Sequence, residues 1–250
     1  KNLVDLFLLN NIKHVICAKL DNDEVEENTA VFMISKEIIT SKNSFIKIQD
    51  PKNGRCNLVS IVDGIIEFQP NQLYSINSIT DDVGVASLKP FSKVKKNQII
   101  ASIKAIPFGI KIKHLQNIVN ISQDCFKILP FQKKNIHLIQ TTNQNTREKI
   151  LEKTLEVTKD RLSSCGINQI TEKKCLHEIK SICLELNESI NENADIILIF
   201  GTSAICDVND VIPQSIKEIK GKILRLGMPV EPGNLILLAD INLSKKNISI

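Results

Sequence analysis

The strongest constraint on the fold is a stretch at 195–200 in which every residue after Asp195 is apolar. Such a stretch is typical of a strand that is covered on both faces in a parallel sheet. It leads directly into Gly201-Thr202-Ser203, and a helix is predicted to begin at 211–213. Pro213 suits the first turn of that helix, because its missing N–H needs no partner there. The sequence therefore predicts a strand, a loop and a helix in succession.

The same alternation extends over the second half of the chain. Short apolar runs predict strands at 136–140, 222–226 and 234–238. Apolar residues at helical spacing predict one helix over 151–162 and a second over 176–186. Strands that alternate with helices indicate an α/β fold, and we expect a doubly wound, mostly parallel sheet.

The first half has a different pattern. Its short apolar runs predict strands and are separated by turn residues, and they lie at 30–34, 58–62 and 99–103. Helices are predicted near 2–12 and 112–121. We therefore expect a smaller α+β or mostly β domain at 1–130, followed by the α/β domain at 131–250.

Composition excludes several classes of partner and compartment. The formal net charge is only +4, and no concentrated basic stripe indicates nucleic-acid binding. The seven cysteines form no CxxC pair, and their odd number argues against a disulfide framework. No apolar run approaches the roughly 20 residues that span a bilayer. We expect a cytoplasmic protein that binds neither nucleic acid nor membrane.

Two loops follow predicted strands, at 141–146 and 201–210. In an open α/β sheet, ligands bind beyond the carboxyl ends of the strands. Thr141 and Thr142 begin the first loop, and Gly201 begins the second. Glycine and small hydroxyl residues let backbone N–H groups approach an anion closely. Both loops are therefore candidate parts of a ligand site.

Two acidic residues, Asp207 and Asp210, lie just before the helix that begins at 211–213. They can cap its N-terminus or contact a ligand or Mg²⁺. The segment is neither a Walker loop nor a GxGxxG fingerprint, and no second glycine completes a GxSxG elbow. The residues alone leave a capped turn and a ligand loop both open.

Two segments, 197–213 and 227–235, resemble the molybdopterin-binding domain of molybdenum-cofactor biosynthesis proteins. The similarity is greatest to a subgroup that is often joined to a nucleotidyltransferase domain of the molybdopterin cytidylyltransferase type. Further segments that are typical of this subgroup lie at 53–58, 99–108, 151–162 and 174–178. The resemblance covers most of the chain.

The resemblance implies a set of site residues. In that family a strand leads to a Gly-Gly-type turn, and an Asp follows the second glycine by seven residues; here Thr202 and Ser203 take the turn positions and Asp210 takes that of the acid. Asp210 is the implied catalytic residue and metal ligand. The residues that are expected to bind molybdopterin are Thr141, Thr142, Gly201, Thr202, Ser203, Ala204, Asp207, Pro232, Gly233 and Asn234.

The chain also departs from the family pattern. Thr202-Ser203 replaces a glycine pair, which loosens backbone approach to a phosphate. Val208-Asn209 replaces an arginine pair, which removes two positive charges beside the ligand. These departures favour binding over catalysis. His177 and Glu178 resemble family positions, but on a helix face we interpret them as an exposed ion pair. We interpret Arg161 as a solvated residue on the first helix of this domain.

We therefore expect a protein that binds molybdopterin or its nucleotide form during molybdenum-cofactor biosynthesis or hand-over. One alternative is an enzyme of the same family that transfers an adenylyl group or molybdenum with a nucleotide and Mg²⁺. Another is a non-catalytic assembly domain with a degenerate site. The resemblance also implies a truncated second domain, a further loop after Ile250 and a nucleotidyltransferase domain beyond it. A homo-oligomer is left open.

Overall fold

A computed structural model describes residues 2–39, 45–243 and 246–250. The chain divides into two compact units, Lys1–Phe131 and Gln132–Ile250, and each has its own cluster of buried apolar side chains. Both units combine helices with strands, so the fold is of the mixed α/β kind. The division falls one residue after the boundary that the sequence pattern suggests.

The described residues of the first unit form four helices and nine strands. The helices are α1 (Leu3–Leu9), α2 (Glu27–Glu37), α3 (Pro70–Asn77) and α4 (Ile112–Ser122). The strands are β1 (Glu24–Glu26), β2 (Ile46–Ile48), β3 (Arg55–Ser60), β4 (Gly64–Glu67), β5 (Val83–Ser87), β6 (Lys93–Val94), β7 (Ile99–Ala105), β8 (Gly109–Lys111) and β9 (Lys127–Pro130). They form three antiparallel sheets in the orders β1-β8, β2-β3-β7-β5 and β6-β4-β9. Helices α1 and α4 lie where the sequence predicts them.

The apolar run at 30–34 belongs to α2 rather than to the predicted strand. Ala30 and Ile34 are fully buried, and residues four apart lie on one face of a helix. The Glu26 side chain accepts a hydrogen bond from the Thr29 N–H at 2.9 Å and so caps the start of the helix. A short apolar run does not by itself distinguish a buried strand from a buried turn of helix.

The second unit contains three helices and six strands in its described residues. The helices are α5 (Glu148–Ser163), α6 (Ile179–Asn191) and α7 (Val211–Glu218). The strands are β10 (Ile136–Thr142), β11 (Ile170–Leu176), β12 (Ile196–Phe200), β13 (Lys222–Leu226), β14 (Leu237–Leu243) and β15 (Lys246–Ser249). They form one sheet in the order β11-β10-β12-β15-β14-β13. Pairings are parallel except those that β14 makes with β13 and β15, so β14 alone among these strands runs in the opposite direction.

Helices pack on the sheet through alternate residues of β10, because neighbouring residues of a strand point to opposite faces. Ile139 belongs to a buried cluster with Ile182 of α6 and Ile212 of α7. Gln140 points the other way, and its Nε2 donates to the backbone oxygen of Leu151 in α5 at 3.0 Å. In the described part of the chain, no helix is long and apolar enough to span a membrane.

Strand β11 is an element that the sequence pattern does not predict. The sequence predicts a helix that already includes Leu176, whereas Leu176 ends β11 and α6 begins at Ile179. That prediction is wrong because the strand is hidden in the sequence. β11 lies at the edge of the sheet, where charged residues such as Lys173 and Lys174 are common, and these residues interrupt its apolar pattern.

A buried histidine adjoins an ion-pair cluster at the start of β10. His137 is 1% exposed, and its Nδ1 lies 3.6 Å from Glu192 Oε2. Lys173 Nζ lies 2.7 Å from Glu188 Oε2 and 3.1 Å from Glu192 Oε2. Burial lowers the pKa of His137, and the field of Glu192 opposes that shift only in part. The folded unit therefore favours neutral His137.

We expect the second unit to lose stability as His137 is forced to take up a proton. The pKa of this group is lowered from 6.5 in the folded state. The unfolded chain therefore binds the proton first as the pH falls, and the free energy of unfolding decreases below about pH 6.5 until the folded-state pKa is passed. Urea denaturation at about pH 7.5 and about pH 5.5 measures the change.

The variant His137→Leu should show a smaller difference between the two pH values than the wild type, since Leu does not titrate. His14→Leu is the matched control, because it removes one exposed imidazole and leaves His137 in place. An equal pH dependence in His137→Leu and the wild type would contradict the assignment.

Candidate functional site

The loops that follow β10 and β12 are joined by hydrogen bonds. The backbone N–H of Thr202 donates to Thr141 Oγ1 at 2.9 Å, and the hydroxyl oxygens of Thr146 and Thr202 are 3.2 Å apart. Because β10 and β12 are parallel neighbours, their carboxyl ends lie at the same edge of the sheet. The structure thus brings the two loops that the sequence singles out into direct contact.

His177, which directly follows β11, connects both loops. Its Nδ1 lies 2.8 Å from Thr141 Oγ1, and its Nε2 lies 3.1 Å from Ser203 Oγ. The sequence interpretation, an ion pair with Glu178 on a helix face, is wrong because His177 follows a strand and precedes α6. The signal that could have identified His177 is its place after a strand parallel to β10. That signal is lost when β11 is not recognised.

Gly201 lets the second loop turn tightly. A Cβ atom at this position would lie 2.8 Å from the Ser203 backbone oxygen and 2.9 Å from Ile212 Cδ1. The end of the Ile212 side chain can move aside, but the contact with the Ser203 backbone oxygen would force the loop itself to shift. Thr202 and Ser203 do not have positive φ angles, so their backbone conformation does not require the glycine pair of the family pattern.

Asp210 holds the loop before α7 in place. Its Oδ2 accepts hydrogen bonds from the N–H groups of Cys206 at 2.7 Å and Asp207 at 3.0 Å, and Asp207 Oδ1 accepts one from the Asn209 N–H at 2.7 Å. The N–H groups of Cys206 and Asp207 lower the pKa of Asp210, and the nearby imidazole of His177 lowers it further. Asp210 occupies the N-cap position, but its side chain makes no hydrogen bond to the first turn of α7.

The role of Asp210 as a metal ligand stays a prediction. Across residues 2–39, 45–243 and 246–250, no group of three or more His, Cys, Asp or Glu side chains is placed to hold a metal ion. One oxygen of Asp210, Oδ2, accepts hydrogen bonds from the two backbone N–H groups of Cys206 and Asp207. Its catalytic role likewise stays a prediction.

A cavity of about 600 Å³ opens beside Ser203. Five of the predicted site residues line it, namely Gly201, Ser203, Ala204, Gly233 and Asn234. Apolar side chains of β12, α7, β14 and the segment before β14 form most of the remaining wall, together with the guanidinium-bearing Arg161 of α5. Arg161 is exposed, as its interpretation as a solvated residue predicts, and it also contributes to this wall.

The other predicted residues do not line the cavity. Thr141 and Thr202 belong to the hydrogen-bonded cluster with His177. Thr142 Oγ1 donates to the backbone oxygen of Cys175 at 3.1 Å and so fastens β10 to β11. Pro232 precedes Gly233, whose φ of 109° favours glycine.

Comparison with known proteins adds little to this geometry. No family model matches the chain, and no curated protein matches it. Among solved structures, the chain is similar to the nicotinate-nucleotide pyrophosphorylase from Francisella tularensis, with 12% identity over 81% of this chain and 83% of that chain and a TM-score of 0.22. A similarity this low carries no argument about fold or function. The resemblance to molybdopterin-binding domains therefore stays a prediction.

The Thr141 hydroxyl should contribute measurably to stability, because this buried group accepts a hydrogen bond from the Thr202 N–H and contacts the His177 ring. Thr202 itself is half-buried. Thr141→Val is therefore expected to lower the free energy of unfolding by about 0.5–1.5 kcal/mol, the net contribution of a typical hydrogen bond. Thr141→Ser keeps the hydroxyl and loses only a methyl group, so it should be less destabilised. Urea denaturation of the two variants tests this, and a Val variant as stable as the wild type would refute it.

Proposed function

We propose that the unit Gln132–Ile250 binds molybdopterin or its nucleotide form and acts in molybdenum-cofactor biosynthesis or hand-over. One observation carries the proposal. The two segments that resemble the family's ligand-binding elements, one after β12 and one before β14, line the same cavity. Gly201, Ser203 and Ala204 come from the first segment, and Gly233 and Asn234 come from the second.

The arrangement of the sheet supports the same location. From β10 the chain continues to β11, which lies on one side of β10, and then to β12 on its other side. The strands that follow β12 all lie beyond β12 on that second side. We interpret this part of the sheet as doubly wound, with its direction of winding reversed between β10 and β12. In such sheets the crevice at the carboxyl ends of those two strands is the usual ligand site. The loops joined by Thr141 and Thr202 lie at that edge.

The chemistry of the cavity suits a phosphorylated fused-ring ligand. Its apolar walls can cover the faces of a planar ring system, and the Asn234 side chain offers an amide donor and acceptor. The guanidinium of Arg161 and the hydroxyl of Ser203 are suited to an anionic group. Arg161 thus supplies a positive charge, although the arginine pair of the family pattern is replaced by Val208-Asn209.

The state of the cysteines supports a cytoplasmic location, which we also propose. All seven cysteines are free thiols. Burial raises the pKa of Cys125 to about 12 and that of Cys175 to about 11, which keeps both protonated at neutral pH. Free buried thiols are typical of proteins in a reducing compartment.

Calorimetric titration with molybdopterin should show saturable binding, and Arg161→Gln should weaken it by about tenfold or more, as expected for the loss of a charge-assisted hydrogen bond. Lys159→Gln is the matched control, because it removes the same charge from an exposed position of α5 outside the cavity wall. Its dissociation constant should stay close to that of the wild type.

Two results would count against the proposal. Heat that does not saturate with molybdopterin in the folded wild type would exclude binding by this unit. Equal weakening in Arg161→Gln and Lys159→Gln would mean that only the net charge matters and that the cavity is not the site.

A further inference from the structure

Ser203, His177 and Thr141 form a chain of hydrogen-bonded side chains. Ser203 Oγ lies 3.1 Å from His177 Nε2, and His177 Nδ1 lies 2.8 Å from Thr141 Oγ1. Ser203 is exposed, His177 is half-buried and Thr141 is buried. An exposed hydroxyl beside an imidazole whose far nitrogen is held by a buried group has the form of an activated nucleophile.

The nucleophile needs the ring tautomer that carries its proton on Nδ1. In that tautomer His177 Nδ1–H donates to Thr141 Oγ1, which also accepts from the Thr202 N–H at 2.9 Å. The Thr141 proton then has the Phe200 backbone oxygen, 3.5 Å away, on its other side. In this arrangement His177 Nε2 is free to accept the proton of Ser203.

Two further features surround the serine. Within the described residues, the backbone N–H groups of Ala204 and Ile205 make no hydrogen bond. Free N–H groups directly after a nucleophile can stabilise the oxyanion that forms in acyl transfer. The cavity of about 600 Å³ beside Ser203 is walled largely by aliphatic side chains, and it suits an aliphatic chain.

We propose that Ser203 is the nucleophile of a second activity, the hydrolysis of esters of aliphatic carboxylic acids. His177 is the general base, and Thr141 is a positioning residue that fixes the ring tautomer. The proposal goes beyond the binding of molybdopterin and does not depend on it. It rests on the hydrogen-bonded chain together with the cavity into which Ser203 opens.

The reaction consumes the ester and water and needs no other co-reactant. Ser203 Oγ forms a bond to the carbonyl carbon, and its proton passes to His177 Nε2. The bond from that carbon to the alcohol oxygen breaks, and the alcohol leaves with the proton from His177. Water then attacks the acyl-serine and gives a proton to His177, which returns it to Ser203 as the carboxylic acid is released.

An alkyl fluorophosphonate tests the nucleophile directly, because an activated serine displaces its fluoride and forms a stable oxygen–phosphorus bond. Mass spectrometry of the digested wild type should find the label on Ser203. The label should be absent in Ser203→Ala and should form about 100-fold more slowly or worse in His177→Gln, which keeps a polar side chain but removes the base. Ser163→Ala, at an exposed serine of the same unit, should react like the wild type.

The rate at which Thr141 variants hydrolyse p-nitrophenyl butyrate shows whether Thr141 positions His177 or only stabilises the fold. Thr141→Val should lose most of the rate, and Thr141→Ser should recover it at a temperature where circular dichroism shows both variants folded. A folded wild type that is not labelled at Ser203 overturns the proposal. A Ser203→Ala variant that hydrolyses the ester as fast as the wild type also overturns it, because the imidazole alone would then account for the rate.

Discussion

The pairing of β10 with strands on both of its sides is the constraint on which the second unit depends. Parallel bonds along Ile136–Thr142 fix the register of β11 on one side and β12 on the other. That register places the residues after the three strands at one edge of the sheet. Thr141, His177 and Thr202 are far apart in sequence, and they meet because the three strands run in the same direction.

The two ends of this sheet are held by different kinds of interaction. At the amino end, Lys246 Nζ lies 2.9 Å from Asp195 Oδ1, and Glu192 lies beside buried His137. Such ion pairs respond to salt and pH. At the carboxyl end, Thr141 is hydrogen-bonded to the backbone after β12 and to the imidazole after β11, and Asp210 accepts hydrogen bonds from two backbone N–H groups of the loop before α7.

Sequence reasoning finds β10, β12 and the edge strand β13, but it misses β11 at the other edge and β15 between β12 and β14. The apolar stretch that forms β12 and the short run that begins β10 predict strands, because buried central strands are apolar on both faces. The edge strand β11 carries charged residues, so the sequence does not show the apolar pattern by which a strand is recognised. As a result, His177 is assigned to a helix face, and its role in joining both loops is missed. The cavity wall is also not predictable, because the approach of Arg161 to β12 depends on how α5 packs.

The bonds of Thr141 also have a consequence for how the site moves. A single buried hydroxyl contacts the backbone after β12 and the imidazole after β11, while its own residue ends β10. Opening any one of these segments breaks a bond that another segment needs. Segments linked in this way tend to open and close as one cooperative unit rather than independently. We therefore expect the ends of the three strands to open together rather than one loop at a time.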